Sequence, residues 1–212
     1  MTYLLSVIAI IIAYLSGSIP VGYIVARLYG VNVTASGSGR IGGTNVLRSV
    51  GVLAAGLTVL GDVLKSLVPI YLLMAVGIDP LTVALAAAAA VIGHNHSIFL
   101  GFRGGVGAGT ALGALAAISF IAALIVGVCA LVALALSRYA SVLSTTTAIL
   151  TPIVLTVMVL FGLLPASYIV FGVIILGVMF YALRPNFARL RAGTERRIGQ
   201  RAENIAASSS QR

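Results

Sequence analysis

AGTALGALAAISFIAALIVGVCALVALAL, residues Ala108 to Leu136, carries no charged side chain and reads two ways. A bilayer core of about 30 Å takes about 20 apolar residues in a helix. One crossing would use the stretch as a single long helix, whereas two short helices would turn near Ser119. A single crossing puts Arg138 outside, and the two spans that follow leave the arginine-rich C-terminus outside as well. A turn at Ser119 puts every basic loop in the cytoplasm, where Lys and Arg accumulate in membrane proteins. The second reading predicts an all-α polytopic membrane protein of about seven transmembrane helices, with the N-terminus outside and the C-terminus cytoplasmic.

Composition supports that class. Of 212 residues, 60% are hydrophobic and 8% charged, with a mean hydropathy of +1.17; a soluble domain has about 25% charged residues. The formal charge of +9 suggests nucleic acid at first sight. Seven of the thirteen basic residues, however, are Arg184, Arg189, Arg191, Arg196, Arg197, Arg201 and Arg212, beyond the last apolar run. Beside membrane spans this bias sets topology and meets anionic headgroups, so no nucleic-acid partner is expected. Cys129 is the single cysteine and excludes a disulfide within the chain. The first apolar run has no positive n-region, which argues against a cleaved signal peptide.

The other spans are read at Tyr3–Leu28, Gly51–Val76, roughly Leu81–Ile92, Ser141–Phe161 and Pro165–Ala182. Asp79-Pro80 makes an outside turn. Four polar stretches then share the cytoplasmic side: residues 36–51, 93–110, 137–141 and 184–199. Glycine-rich backbone at membrane depth persists only where protein or water satisfies it, so these loops line one cavity. No fixed-period or inverted repeat is evident. The expected organisation is one membrane-embedded domain, residues 1–199, and a basic, disordered cytoplasmic tail, residues 200–212.

SGSGRIGGTNVLRSVG, Ser36 to Gly51, supplies the chemistry. Its five glycines let successive amides turn inward, its hydroxyls add donors, and Arg40 and Arg48 add planar cationic forks. That combination holds an anion. Glycines at helix ends more often serve packing, but here they come with serine, threonine, asparagine and arginine. Asp62 and Lys65, three apart on one helix face, read as a buried ion pair. His94 and His96 flank Asn95 as satisfied interface residues, a poor metal site with no neighbouring carboxylate.

GSIP (Gly17–Pro20), the Ser36 stretch, DVLK (Asp62–Lys65), GH (Gly93-His94), FLGFRGG (Phe99–Gly105), RYAS (Arg138–Ser141) and NFARLRAGTERRIG (Asn186–Gly199) occur in that order. The arrangement resembles the bacterial acyl-phosphate:glycerol-3-phosphate acyltransferases, the PlsY family, nearly end to end. The resemblance implies a seven-helix enzyme of the bacterial cell (inner) membrane, its active site on the cytoplasmic side. It would move a fatty acyl group from acyl phosphate to the sn-1 hydroxyl of glycerol-3-phosphate, giving lysophosphatidic acid. No acyl carrier protein, coenzyme A, metal or other cofactor is implied, and the protein would act as a monomer among membrane lipids. The family is thought to let a substrate phosphate accept the proton, which suits a chain with four acidic residues and no Ser-His-Asp arrangement.

By the same resemblance Arg48, Asn45, Ser141 and Asn186 are the catalytic residues. Ser36, Gly37, Ser38, Gly43, Thr44, Arg103, Gly104, Gly105 and Thr194 hold substrate phosphate. The chain also departs from the pattern: Arg40 stands where asparagine is usual, Val106 where a second lysine is, and Leu183 where a histidine is. Losing one charge-assisted phosphate contact costs about 1.5–3 kcal/mol. Either Arg40 and Arg103 take over, or the acceptor differs from glycerol-3-phosphate. A homologue without catalysis and a small-anion transporter are the alternatives.

Overall fold

The computed structural model describes residues 2–199. The expected tail, with Arg201 and Arg212, lies outside them. All regular structure among the described residues is helical: α1 (Thr2–Ser18), α2 (Val21–Leu28), α3 (Gly43–Ser49), α4 (Val52–Ala75), α5 (Pro80–Asn95), α6 (Ala108–Ile118), α7 (Phe120–Ser137), α8 (Ala140–Leu160) and α9 (Tyr168–Arg191), with a short 3-10 turn at Ile98–Leu100. Tyr3–Leu28, α4, α7, α8 and α9 are long and apolar enough to cross a membrane; α5 and α6 are apolar but shorter.

The helices break where local chemistry demands it. Ser119 ends α6 in an extended conformation and caps α7, its Oγ accepting the Ala122 N–H at 3.2 Å. A serine Oγ in that position satisfies one of the orphan amides of a first helical turn. The two helices fold back on each other: Leu112 Cδ2 lies 3.8 Å from where a Cβ on Gly127 would sit. The turn read at Ser119 is therefore present. Asp79 caps α5 in the same way, its carboxylate accepting the Thr82 N–H at 3.0 Å, with Pro80 opening the helix.

The final helix corrects the sequence reading. Its apolar run was expected to end near Ala182 and give way to a loop, yet α9 continues through Pro185 to Arg191. An interior proline removes one backbone bond and crowds the preceding turn, but here it does not stop the helix. The Ser36 stretch likewise is only half loop, because Gly43–Ser49 coil into α3.

Helix α5 is the central post, packed against α1, α4, α6 and α9, while α7 and α8 complete the bundle beside α6 and α9. Its alanine run, Ala86 to Ala90, is buried and lets neighbours approach closely. A Cβ on Gly17 of α1 would fall 2.0 Å from the Ala90 carbonyl oxygen. Such small-residue contact is how helices pack where lipid removes the usual hydrophobic drive. Outward faces stay apolar: Leu4, Ile8, Ile11 and Ile12 on α1, and Phe120, Ile121, Leu124 and Val128 on α7, are exposed. Apolar surface on this scale is expected in lipid rather than in water.

Candidate active site

A cavity of about 960 Å³ opens between the Ser36 loop, α3, α4, the start of α6, α7, α8 and the C-terminal part of α9. Its lining combines the apolar side chains Val59, Val63, Leu112 and Leu131 with the basic side chains Arg40, Arg48, Arg189 and Arg196.

The Ser36 loop is built around Asn45. Its buried side-chain amide donates to the carbonyls of Val33 (3.0 Å), Ser36 (3.1 Å) and Arg40 (2.8 Å), while its Oδ1 accepts the Ser38 N–H at 3.0 Å. Every polar atom of that side chain is engaged by the loop itself. Gly37 has φ +61°, and a Cβ there would fall 2.1 Å from Asn45 Oδ1. Asn45 thus shapes the turn, and Gly37, Ser38, Gly43 and Thr44 face the cavity from it.

Arg48 also lines the cavity. Its Nη2 donates to the Arg196 carbonyl at 2.9 Å, and its buried Nε has no partner. Burial, and then the Arg196 charge, pull its pKa below the ordinary guanidinium value. Arg40 reaches across to α9 and donates to the Ala182 carbonyl; burial and the neighbouring Arg189 lower its pKa as well. Cations that depress one another in a partly desolvated space are stabilised by an anion placed between them.

The remaining polar groups come from α8, α9 and the segment after α9. Ser141 is buried and its Oγ lacks a partner. Asn186 donates to Glu195 Oε1 at 2.7 Å and leaves its own Oδ1 unpartnered, while Glu195 Oε2 takes the Arg189 Nε at 2.7 Å. Residues 192–199 tie the end of α9 to the Ser36 loop and to Arg138. Arg196 Nη2 donates to the Gly37 carbonyl at 2.8 Å, and Ile198 exchanges bonds with Arg138, N–H to carbonyl at 2.8 Å and guanidinium to carbonyl at 3.1 Å.

The structure therefore brings Arg48, Asn45, Ser141, Asn186, Gly37, Ser38, Gly43, Thr44 and Gly105 together around one space. It sets four expected residues apart from the wall. Arg103 is exposed in the turn after the 3-10 segment, and Thr194 is exposed with its hydroxyl towards the Arg189 carbonyl. Gly104 packs against the His94 carbonyl, and Ser36 contributes a carbonyl to Asn45. Arg40, which the sequence offers as a substitute phosphate contact, lines the cavity, and so do Glu195, Arg196, Asp62 and His94, to which sequence reasoning gave no substrate role. The ion pair read at Asp62 and Lys65 is present at 2.8 Å, with His94 as an added member. Among the described residues no cluster of metal-ligating side chains occurs.

Fold and site together define an integral membrane protein whose cavity is lined by both basic and apolar side chains. More particularly, the chain belongs to the glycerol-3-phosphate acyltransferase family, whose pattern matches residues 7–193. Glycerol-3-phosphate acyltransferase 2 of Moorella thermoacetica is 41% identical over 196 residues, covering 92% of this chain and 98% of that protein. The crystal structure of PlsY, an integral membrane glycerol 3-phosphate acyltransferase, is similar in both its glycerol 3-phosphate form (TM-score 0.83) and its lysophosphatidic acid form (0.81). Each is 34% identical and covers 92% of this chain, and 96% and 95% of the two structures respectively.

Proposed function

We propose that this chain transfers a fatty acyl group from acyl phosphate to the sn-1 hydroxyl of glycerol-3-phosphate, releasing lysophosphatidic acid and inorganic phosphate. The observation that carries the reading is a cavity lined by four arginines together with apolar side chains from α4, α6 and α7. Phosphate belongs on the first and an acyl chain on the second. An acyl phosphate is already activated, so the protein has to hold two phosphates, set hydroxyl on carbonyl and stabilise developing charge. The sn-1 oxygen bonds to the acyl carbon, the bond from that carbon to the phosphate oxygen breaks, and the hydroxyl proton passes to a phosphate oxygen.

Arg48 clamps substrate phosphate beside the amides of Gly37, Ser38, Gly43 and Thr44, and Asn45 holds that turn in shape. Ser141 and Asn186, each with an unpartnered atom at the cavity, orient the acceptor. Gly105 leaves room for the ligand. Ser36, Gly104, Thr194 and Arg103 support these segments from outside the wall. The protein works as a monomer in the bacterial plasma membrane, residues 1–199 as one domain and residues 200–212 as a basic cytoplasmic tail against lipid headgroups.

Seven crossings follow, with α1 and α2 forming the first, the N-terminus outside and the active site facing the cytoplasm. At 1.5 Å per residue α6 is about 16 Å long, so from an outer turn at Ser119 its start lies near mid-membrane. That depth suits a glycine-rich segment lining a protein cavity. Cysteine labelling in intact cells at positions 79, 119 and 209 tests the arrangement, and access to position 209 from outside refutes it.

The activity test uses purified protein, palmitoyl phosphate and a panel of polyol phosphates. Fastest transfer to glycerol-3-phosphate is expected. Val106 and Leu183, both at the cavity wall, favour a second reading in which another polyol phosphate is preferred. No transfer to any acceptor overturns both, and anion flux into proteoliposomes without transfer supports a transporter instead.

A further inference from the structure

Lys65 sits in α4 with its side chain 3% exposed. Its Nζ has three neighbours: Asp62 Oδ1 at 2.8 Å, His94 Nδ1 at 2.9 Å and the Ile19 carbonyl at 2.9 Å. An ammonium has three protons and no lone pair. The ammonium cannot accept, so across their 2.9 Å contact His94 Nδ1 is the acceptor. The competing tautomer would set an Nδ1–H against the ammonium and aim it at Asp62 Oδ1 over 3.4 Å, the longer of the two contacts. The imidazole is therefore neutral and carries its proton on Nε2.

That nitrogen has no hydrogen-bond partner among the described residues, although His94 as a whole is 3% exposed. It lies against Gly105: a Cβ added there would fall 2.2 Å from Nε2. His94 and Gly105 both line the cavity, and Asp62 joins them on its floor. A donor at a cavity wall with no protein acceptor is free to meet an oxygen of a bound ligand. No other charged side chain lines the cavity from α4 or the segment between α5 and α6.

We infer that His94 Nε2–H is a fixed hydrogen-bond donor to an anionic oxygen of the bound phosphate substrate, with Lys65 and Asp62 as the pair that positions it. The inference rests on the acyltransferase reading for the identity of that substrate. The donor is neutral and takes no proton in the reaction. It grips the oxygen beside Gly105, with the Lys65 ammonium held on its other nitrogen. Gly105 completes the device, because any side chain there would occupy the place of the acceptor oxygen.

The chain has two histidines, His94 and His96, so nitrogen NMR of protein labelled at histidine, assigned with a His96→Gln variant, reads the state directly. The expected spectrum shows His94 in the Nε2–H form, and its Nε2 signal moves on addition of glycerol-3-phosphate or inorganic phosphate but not glycerol. His94→Phe should lower kcat roughly tenfold to a hundredfold, and His94→Gln, whose amide can reach the same place, should recover part of it. An Nδ1–H spectrum, or an Nε2 signal indifferent to both anions in a protein that turns over, overturns the inference. A signal that moves with inorganic phosphate in a protein without acyl transfer sinks the acyltransferase reading and leaves the donor assignment standing. Should the phenylalanine variant fail to fold, the spectrum of the unaltered protein still decides.

Discussion

Replacing Gly37 by alanine tests how the phosphate-holding turn is made. Gly37 has φ +61°, where an L-residue with a Cβ is disfavoured by about 1–2 kcal/mol. The new methyl would also sit 2.1 Å from Asn45 Oδ1, so Asn45 has to move and give up its bond from the Ser38 N–H. Leaving that buried acceptor and its loop partners unmatched costs about 1–3 kcal/mol more. The sum of roughly 2–5 kcal/mol corresponds to a factor of about thirty to several thousand in occupancy of the native turn. Gly39, at φ +69° with only the Thr34 carbonyl oxygen at 3.4 Å, is the control, because alanine there meets the conformational cost alone. Acyl transfer by purified variants should fall at least tenfold for Gly37→Ala and clearly less for Gly39→Ala, with both keeping most of their thermal stability because the helices pack elsewhere. A Gly37→Ala, Asn45→Ala double variant should be worse than Asn45→Ala alone only by the conformational cost that Gly39→Ala also meets, since the clash and the staple are one interaction. Equal activity of the two alanine variants, or additive losses in the double variant, would refute the account.

Arg48→Ala should cut turnover by about a hundredfold in folded protein and Arg48→Lys should recover part, because a point charge cannot reproduce the fork; near wild-type rates for alanine would remove Arg48 from the site. Val106→Lys adds a cation at the cavity wall and should lower KM for glycerol-3-phosphate about tenfold with acyl-phosphate KM unchanged; an unchanged or raised KM would mean a different acceptor or binding geometry. Asp79 has its carboxyl pKa lowered by the Thr82 hydrogen bonds, so its contribution is present above the unfolded carboxylate range and is lost as pH falls through the folded value. Asp79→Ala should lower Tm at neutral pH, and the difference should shrink in acid; a gap constant with pH would count against the cap.

Much of this arrangement was legible because membrane burial constrains sequence strongly. The uncharged run from Ala108 to Leu136 reads as two short helices under the positive-inside rule, and α6 ends and α7 begins at the serine where that reading puts the turn. Asp62 and Lys65 were readable as a pair because charges inside apolar helices have to meet. Proline was a weaker guide: Pro185 marks the end of the apolar run without ending α9. Site membership was harder to read, because composition shows which donors exist but not which are already engaged. Asn45 is fully bonded within its own loop, Thr194 and Arg103 face outward, and Arg40, Glu195 and Arg196 reach the cavity only through long-range contacts with α9 and the Ser36 loop. His94 could not be read without knowing that Lys65, twenty-nine residues earlier, meets its Nδ1.

The trio of Asp62, Lys65 and His94 also limits how such a chain can change over generations. Removing one partner from a buried ion pair costs about 3–5 kcal/mol, against a total stability of about 5–15 kcal/mol for a typical domain. A lineage that loses Lys65 strands Asp62 and frees His94 to take the other tautomer, and one that loses Asp62 strands Lys65. No single substitution leads to an equally stable neighbour. The three positions are therefore expected to persist together or to be exchanged as a set, while the lipid-facing aliphatics of α1 and α7 drift freely among themselves.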